Sequence, residues 1–404
     1  MASLETIKKN EKSVLETFQK EIPSVYYSDK SKEDFKKYKE NSEYMYRHLF
    51  KFPPKMFEGQ KLIDFGAGTG ENTVYLANWG AKCTLVEMNE LAQKISKDVF
   101  KKYTNNYEEH KFILSSIFDY KDDKSHETYD IVHCRGVLSH TADKENAFSN
   151  ISKFLKPGGY LIFGDPNKAG GFQNMLQRYL VYSFANDWQS MIKVSEDFFK
   201  EDIDRAQKFG NRTRNTIIFD RWVVQCQDDP SIEEVLDMFK KNELTLYSSY
   251  PPFIPSFISD SFFHSPKFSI HDHKELGVLS EAIWMIYNKE DKFEIPKALN
   301  SLKKMSPYQS ELTSYVSNCN KETKLDKNVM NKNINNYLNA LDNLDITSNL
   351  KNNMKLMLSE VNELLDNMEK GDYKRTKEFV NNTKYLFRGA TGVRHVDYIG
   401  YKNL

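Results

Sequence analysis

Residues 62–73 read LIDFGAGTGENT: an apolar run, an acid, then Gly66, Gly68 and Gly70 alternating with small residues before the chain turns polar. KLIDFG has the make-up of a buried strand, and ENTVYLANWG, ended by Gly80, that of a helix, so the glycines mark a strand-to-helix junction. Such a turn lets the backbone approach a ligand closely and points free amides of the helix start at something anionic. A phosphate-binding P-loop needs Gly-Lys-Ser or Gly-Lys-Thr at its end, whereas Gly70 is followed by Glu71 and Asn72. A dinucleotide fingerprint needs glycine at position 71, and Glu71 there would repel a pyrophosphate. What remains is G-x-G-x-G preceded by an acid, Asp64.

Outward from this turn the chain alternates. AKCTLVEM, HKFILSS, YDIVHCRG and YLIFGDP read as further strands. ELAQKISKDVFKKY and KENAFSNISKFLKPGG read as helices, the second closed by a Pro-Gly-Gly turn. Strands alternating with helices at this spacing predict a parallel, doubly wound sheet. The rhythm breaks after Pro166, resumes with the helix SIEEVLDMFKKN and the strand ELTLYSSY, breaks again into Lys/Asn/Leu-rich helices, and closes on VRHVDYIGYKNL, a last strand.

The segments LIDFGAGTGENTVYLA, TLVEMN, FILSSIFD, YDIVHCRGVLSHTAD and FLKPGGYLIFGDP, in this order and spacing, resemble the class I S-adenosylmethionine-dependent methyltransferases. The resemblance implies an α/β fold: a doubly wound, Rossmann-like, seven-stranded sheet with large, mostly helical cap insertions. The division it implies is an N-terminal helical lid (1–60), a cofactor-binding core (61–166), an aromatic-rich cap insertion (167–229), the core resumed (230–250), a mostly helical insertion (251–392) and a final core strand (393–404).

It also implies S-adenosylmethionine as cofactor, with S-adenosylhomocysteine as product. The methionine end of that cofactor carries an ammonium and a carboxylate, and Asp64 with the turn Gly66, Ala67, Gly68 and Gly70 would hold it. Glu87, 21 residues beyond Gly66 at the end of the second strand, would accept the ribose hydroxyls, with Met88 beside it. The family's usual Asp after the third strand is replaced by Ser116, with Ile117 next; Ile117 would pack on the adenine, and Ser116 or Asp119 would take over its polar contact. Cys134 and Arg135 follow the fourth strand, where the family's backbone touches the methionine part; Arg135 could equally be a structural ion-pair partner.

Methyl transfer from a sulfonium is an in-line displacement that needs alignment first, and a base only for a protonated acceptor. His140, in GVLSHTAD, is the candidate base; its other reading is a histidine that holds the loop. Tyr27, with Tyr26, could close a lid over the site or pack the first helix, and Asp165 and Asn167, after the fifth strand, would face the family's usual acceptor side; Tyr27 and Asp165 are further candidate catalytic residues. Tyr179, Tyr182, Phe184, Trp188, Phe198, Phe199 and Trp222 suggest a partly apolar acceptor pocket, or the insertion's own core. Arg212, Arg214 and Arg221 could bind an acceptor carboxylate or phosphate, or pair internally.

Composition bounds the alternatives. The 404 residues are 39% hydrophobic and 13% aromatic, with 27 Phe and 23 Tyr, which suits a folded chain rather than a disordered one. Lys plus Arg and Asp plus Glu both total 57, so no nucleic-acid partner is expected. No apolar run approaches a membrane span and no signal-peptide core is visible, so the expectation is a cytoplasmic protein. The four cysteines lie far apart, and His271, Asp272 and His273 read as surface, so no metal is expected. The helical insertion could be a dimerisation arm. The leading expectation is a small-molecule methyltransferase favouring oxygen over nitrogen. Its rivals are an enzyme acting on RNA or protein, and use of the same fold for a non-methyl transfer or for binding alone.

Overall fold

A computed structural model describes residues 2–24, 27–121, 128–210, 212–224, 226–253, 270–272, 274–286, 295–344, 348–388 and 395–404. Tyr26 and His273 lie outside them.

The chain begins with α1 (Leu4–Lys20), capped by the Ser3 side chain, which accepts from Thr6 N. Next comes α2 (Lys32–Tyr44), opened by a Ser31/Asp34 capping box and continuing into a π-helical turn, Met45–Leu49. The core then runs β1 (Lys61–Phe65), α3 (Val74–Asn78), β2 (Lys82–Glu87), α4 (Glu90–Tyr103), β3 (Lys111–Leu114), β4 (Tyr129–Arg135), α5 (Lys144–Ser152) and β5 (Leu155–Pro166). The first insertion holds α6 (Phe172–Phe184), α7 (Trp188–Gly210) and α8 (Arg214–Ile218); α9 (Ile232–Lys241) leads to β6 (Leu244–Tyr250). A second group, α10 (Leu276–Met285), α11 (Ile295–Asn318), α12 (Lys327–Asp342), α13 (Ser348–Glu369) and α14 (Tyr373–Asn382), precedes β7 (His395–Lys402).

The strands form one sheet in the order β3-β2-β1-β4-β5-β7-β6. β7 alone is reversed, antiparallel to both its neighbours, so the sheet is not wholly parallel. Alternating side chains feed two cores. Leu62, Leu85, Ile131, Ile162 and Ile399 face the aromatic layer of Tyr46, Phe50, Phe52 and Phe57. Ile63, Val132, Phe163 and Tyr398 face the other side, where α5, α9 and the inserted helices pack.

Two local expectations are corrected. The Pro-Gly-Gly turn is not the end of a helix but lies inside β5. Leu155 pairs with Tyr129 and Tyr160 with Ile131, so residues 156–159 bulge, and Gly158 takes φ 77°. The first insertion contains a second long helix, α7, kinked at Phe199 (φ −125°, ψ 28°), which the aromatic and charged composition hid.

Between β1 and β4 the order of strands reverses direction. The crevice beyond their carboxyl ends is where ligands of open α/β sheets bind.

Candidate active site

The glycine turn leaves β1 with Gly66, Gly68 and Gly70 all in the left-handed region, at φ 70°, 54° and 76°. Only glycine adopts this without strain. At Gly66 a side chain is also excluded by space, since a Cβ there would stand 2.4 Å from Val137 Cγ2, in the loop after β4. The turn is pinned to β2: Gly66 N donates to Val86 O at 2.8 Å, and Gly68 N donates to Glu87 Oε2 at 2.8 Å. The other Glu87 oxygen accepts from Asn89 N at 2.8 Å. Burial pushes the Glu87 carboxyl up, and the backbone donors at Asn89, Gly68 and Met88 oppose that.

Beneath the turn lies Asp64, 2% exposed. Its Oδ2 accepts from the Thr73 hydroxyl and its Oδ1 from His133 Nδ1–H at 2.7 Å. His133 stands directly opposite Asp64 in the β1–β4 register and is 1% exposed.

A cavity of about 490 Å³ opens above the turn. Gly66, Ala67, Gly68, Glu87 and Met88 line it, as do Ser116, Ile117, Arg135 and His140. The remaining candidates lie elsewhere. Asp64 is turned inward, Gly70 packs against Ser96 and Phe100, and Cys134 is fully buried, its thiol pushed well up by burial. Tyr27 is corrected from lid to core: its ring stacks on Tyr38 at 4.4 Å and it does not line the cavity. Asp165, 1% exposed, is corrected likewise; it accepts from Ser139 N at 3.0 Å and from the Ser139 hydroxyl at 3.2 Å. Burial, then the charge of Asp229, pushes its carboxyl up to about 8, so it is protonated near neutrality. Asn167 is also internal, donating to Glu281 Oε1 at 2.7 Å.

The cap aromatics do not line the cavity either. Phe198 stacks with Phe184, Phe199 packs on Trp222, and the Tyr182 hydroxyl donates to Val224 O. They pack within the insertion and against the second helical group, where Phe184 and Phe198 meet Tyr373 and Phe199 meets Phe387. Of the three arginines, Arg214 pairs with Glu196 and Asp204, and Arg221 lies over Trp222; Arg212 lines the cavity, its Nη1 3.2 Å from Asp220 Oδ2.

Sequence reasoning read residues 1–60 as a helical lid but named none of the α1 residues that line the cavity. Asn10, Glu11, Val14, Leu15 and Phe18 form a wall of the cavity. Asn10 Nδ2 donates to His140 O at 2.8 Å, Phe18 meets the His140 ring edge-on at 5.5 Å, and Lys8 pairs with Asp119 at 2.5 Å. That last contact, with the Ser116 hydroxyl donating to Asp119 at 3.1 Å, turns Asp119 away from the cavity. The signal was available: Ile7 and Val14, a heptad apart, are the buried apolar stripe of α1.

His140 is held by its environment. Its Nδ1–H donates to Cys226 O at 2.9 Å, which leaves Nε2 as the acceptor of the neutral ring. Burial pushes its pKa below the usual 6.5. Among the described residues no group of His, Cys, Asp and Glu is arranged to hold a metal, and no helix is long and apolar enough to cross a membrane.

The donor set fits S-adenosylmethionine. Left-handed glycines keep side chains out of the space above the turn, a carboxylate stands at the end of β2, Ile117 offers an apolar surface, and 490 Å³ lies within the roughly 300–1,000 Å³ usual for small-molecule sites.

Comparison with known proteins agrees. A family model described as "Methyltransferase domain" matches residues 38–206. The ubiquinone biosynthesis O-methyltransferase of Alkalilimnicola ehrlichii is 25% identical over 147 residues, 34% of this chain and 57% of that protein. Its Vibrio cholerae counterpart is 28% identical over 114 residues, 27% of this chain and 43% of that protein. The chain thus spans about half the length of these curated relatives. Among solved structures, PKMT2 from Rickettsia typhi in complex with AdoHcy is 15% identical, with a TM-score of 0.38 over 49% of this chain and 41% of that one. The glycine turn, the strand order and the family match agree that residues 38–206 carry a methyltransferase domain.

Proposed function

We propose that the protein transfers a methyl group to a small organic acceptor, at oxygen rather than nitrogen, with His140 as general base. The observation that carries this reading is the place of His140. It lines the same cavity as the glycine turn and Glu87, with Nδ1–H committed to Cys226 O. Nε2 is therefore the one ring nitrogen that can take a proton, and the depressed pKa keeps it free to do so near neutral pH. A hydroxyl must lose its proton as it is methylated, which is the service such a group gives.

Bound S-adenosylmethionine would supply an electrophilic methyl on a sulfonium with a neutral leaving group. Glu87 would hold the ribose hydroxyls with the oxygen lone pairs left beyond Gly68 N and Asn89 N, and Ile117 would pack on the adenine. Val14, Leu15 and Phe18 would exclude water from the same cavity. A bounded cavity walled by α1 favours a small acceptor over a nucleic-acid strand or a folded protein. The named relatives are O-methyltransferases of ubiquinone biosynthesis, which agrees with oxygen as the acceptor atom.

The test is transfer of labelled methyl from S-adenosylmethionine to catechol, 4-hydroxybenzoate or benzylamine. Label on a phenol, falling at least ~100-fold in His140→Ala, is the expected result. Transfer to benzylamine unaffected by that change, or to none of the three, would overturn the reading.

A further inference from the structure

The amino-acid end of S-adenosylmethionine is a zwitterion and needs both a cationic and an anionic partner. A subsite for that end rests on the reading of this cavity as the cofactor site. The acid before the glycine turn does not meet it: both oxygens of Asp64 are engaged from below, by Thr73 and His133, and its side chain does not line the cavity. Arg135 lines it, but its guanidinium is held by Asp397 through Nε at 2.6 Å and Nη2 at 3.1 Å.

Arg212 is the other arginine on the cavity wall, and it arrives with the cap. Asp220 engages one of its N–H groups, at 3.2 Å, out of the five that a guanidinium carries. Asp220 lines the same cavity, so an acid and a base stand side by side on one wall. The pair is close to the glycine turn. Gly66, Gly68 and Glu71, the residue after Gly70, line the same cavity as Arg212, and the Tyr38 hydroxyl donates to Glu71 O at 3.1 Å. The segment is anchored to α1, since the Thr213 and Thr216 hydroxyls donate to Glu21 Oε1 at 3.3 and 2.6 Å.

We propose that Arg212 binds the carboxylate, and Asp220 the ammonium, of the cofactor's amino-acid end. The cap insertion thereby supplies the contact that Asp64 does not make. An ion pair already formed on the wall is the complement of a zwitterion: each partner keeps its charge, and the ligand completes a square of alternating sign. Asp64, by contrast, shapes the turn and touches no ligand.

Two ligands separate this subsite from the rest of the cavity. S-Adenosylhomocysteine carries the amino-acid end; 5′-methylthioadenosine has the same adenosine and sulfur but lacks it. Calorimetric titration of both into the full chain and into Arg212→Met, Arg212→Lys and Asp220→Asn reads the contact directly. Arg212→Met should weaken S-adenosylhomocysteine at least ~10-fold, the size of one or two charge-assisted hydrogen bonds. It should leave methylthioadenosine unchanged, which also shows that the variant is folded. Arg212→Lys should recover part of the loss, and Asp220→Asn should show a smaller loss confined to S-adenosylhomocysteine. Unchanged S-adenosylhomocysteine affinity in Arg212→Met would overturn the assignment, and so would equal loss for both ligands. If the wild type bound neither ligand, the cofactor reading itself would fall, and the subsite with it.

Discussion

Arg135 reaches Asp397 across an intervening strand, and it does so over a glycine. In register, Arg135 of β4 lies beside Gly164 of β5, which lies beside Asp397 of β7. A Cβ on Gly164 would stand 2.1 Å from Asp397 Oδ1, so the missing side chain is what opens the channel for the guanidinium. The result is a bidentate pair, 13% and 6% exposed, that joins the cofactor-side strand β4 to the reversed strand β7.

This pair gives a stability prediction. Arg135 holds the Asp397 carboxyl well below the usual carboxylate range, although burial alone would raise it. The stabilisation is therefore present above the unfolded-state value near 4 and is lost as pH falls below it. Asp397→Asn leaves a buried guanidinium without its counter-charge and should cost about 3 kcal/mol at pH 7. Urea unfolding at several pH values checks this: the variant should lose stability at neutral pH and show a flatter acid limb.

Asp165 should behave in the opposite sense. Its folded pKa, pushed up to about 8 by burial and by Asp229, means the folded chain holds a proton that the unfolded chain releases near pH 4. Stability therefore falls as pH rises from about 4 to about 8. Asp165→Asn keeps an acceptor for Ser139 N and removes the charge, so it should raise stability at pH 8 by on the order of 2 kcal/mol and flatten that slope. Destabilisation at pH 8 in thermal or urea unfolding would contradict the assignment.

His140 predicts the form of the pH–rate profile. A base with a pKa lowered by burial loses function only when protonated, so kcat/KM for a phenolic acceptor should hold steady at neutral pH and drop below about 6.5. In His140→Ala that acidic limb should vanish together with most of the rate. Persistence of the limb in the variant would assign it to another group.

The strand alternation and the glycine turn were legible because both are local: periodicity marks a strand, and three closely spaced glycines mark a backbone that must turn left-handed. The positions of Glu87, at the end of β2, and of His140, in the turn that follows β4, were legible for the same reason. What escaped reading depends on distant partners. Asp64 looks like a ligand-facing acid until His133, on another strand, takes one oxygen and Thr73 the other. Arg135 could not be assigned because its partner lies 262 residues away. The cap aromatics looked like a pocket because composition does not say which side of a helix a ring faces. The N-terminal helices were read as a lid, but the α1 residues on the cavity wall went unnamed for a related reason: an amphipathic helix announces that it has an apolar face but not what that face covers.

Whether the glycine turn and Glu87 form a cofactor site is decided by calorimetric titration of S-adenosylhomocysteine into the wild type and Glu87→Ala. The expected result is a wild-type Kd on the order of micromolar and at least ~10-fold weaker binding in the variant, since the Glu87 carboxylate both holds Gly68 N and stands where the ribose would lie. No binding to folded wild type, or equal binding by Glu87→Ala, would contradict it.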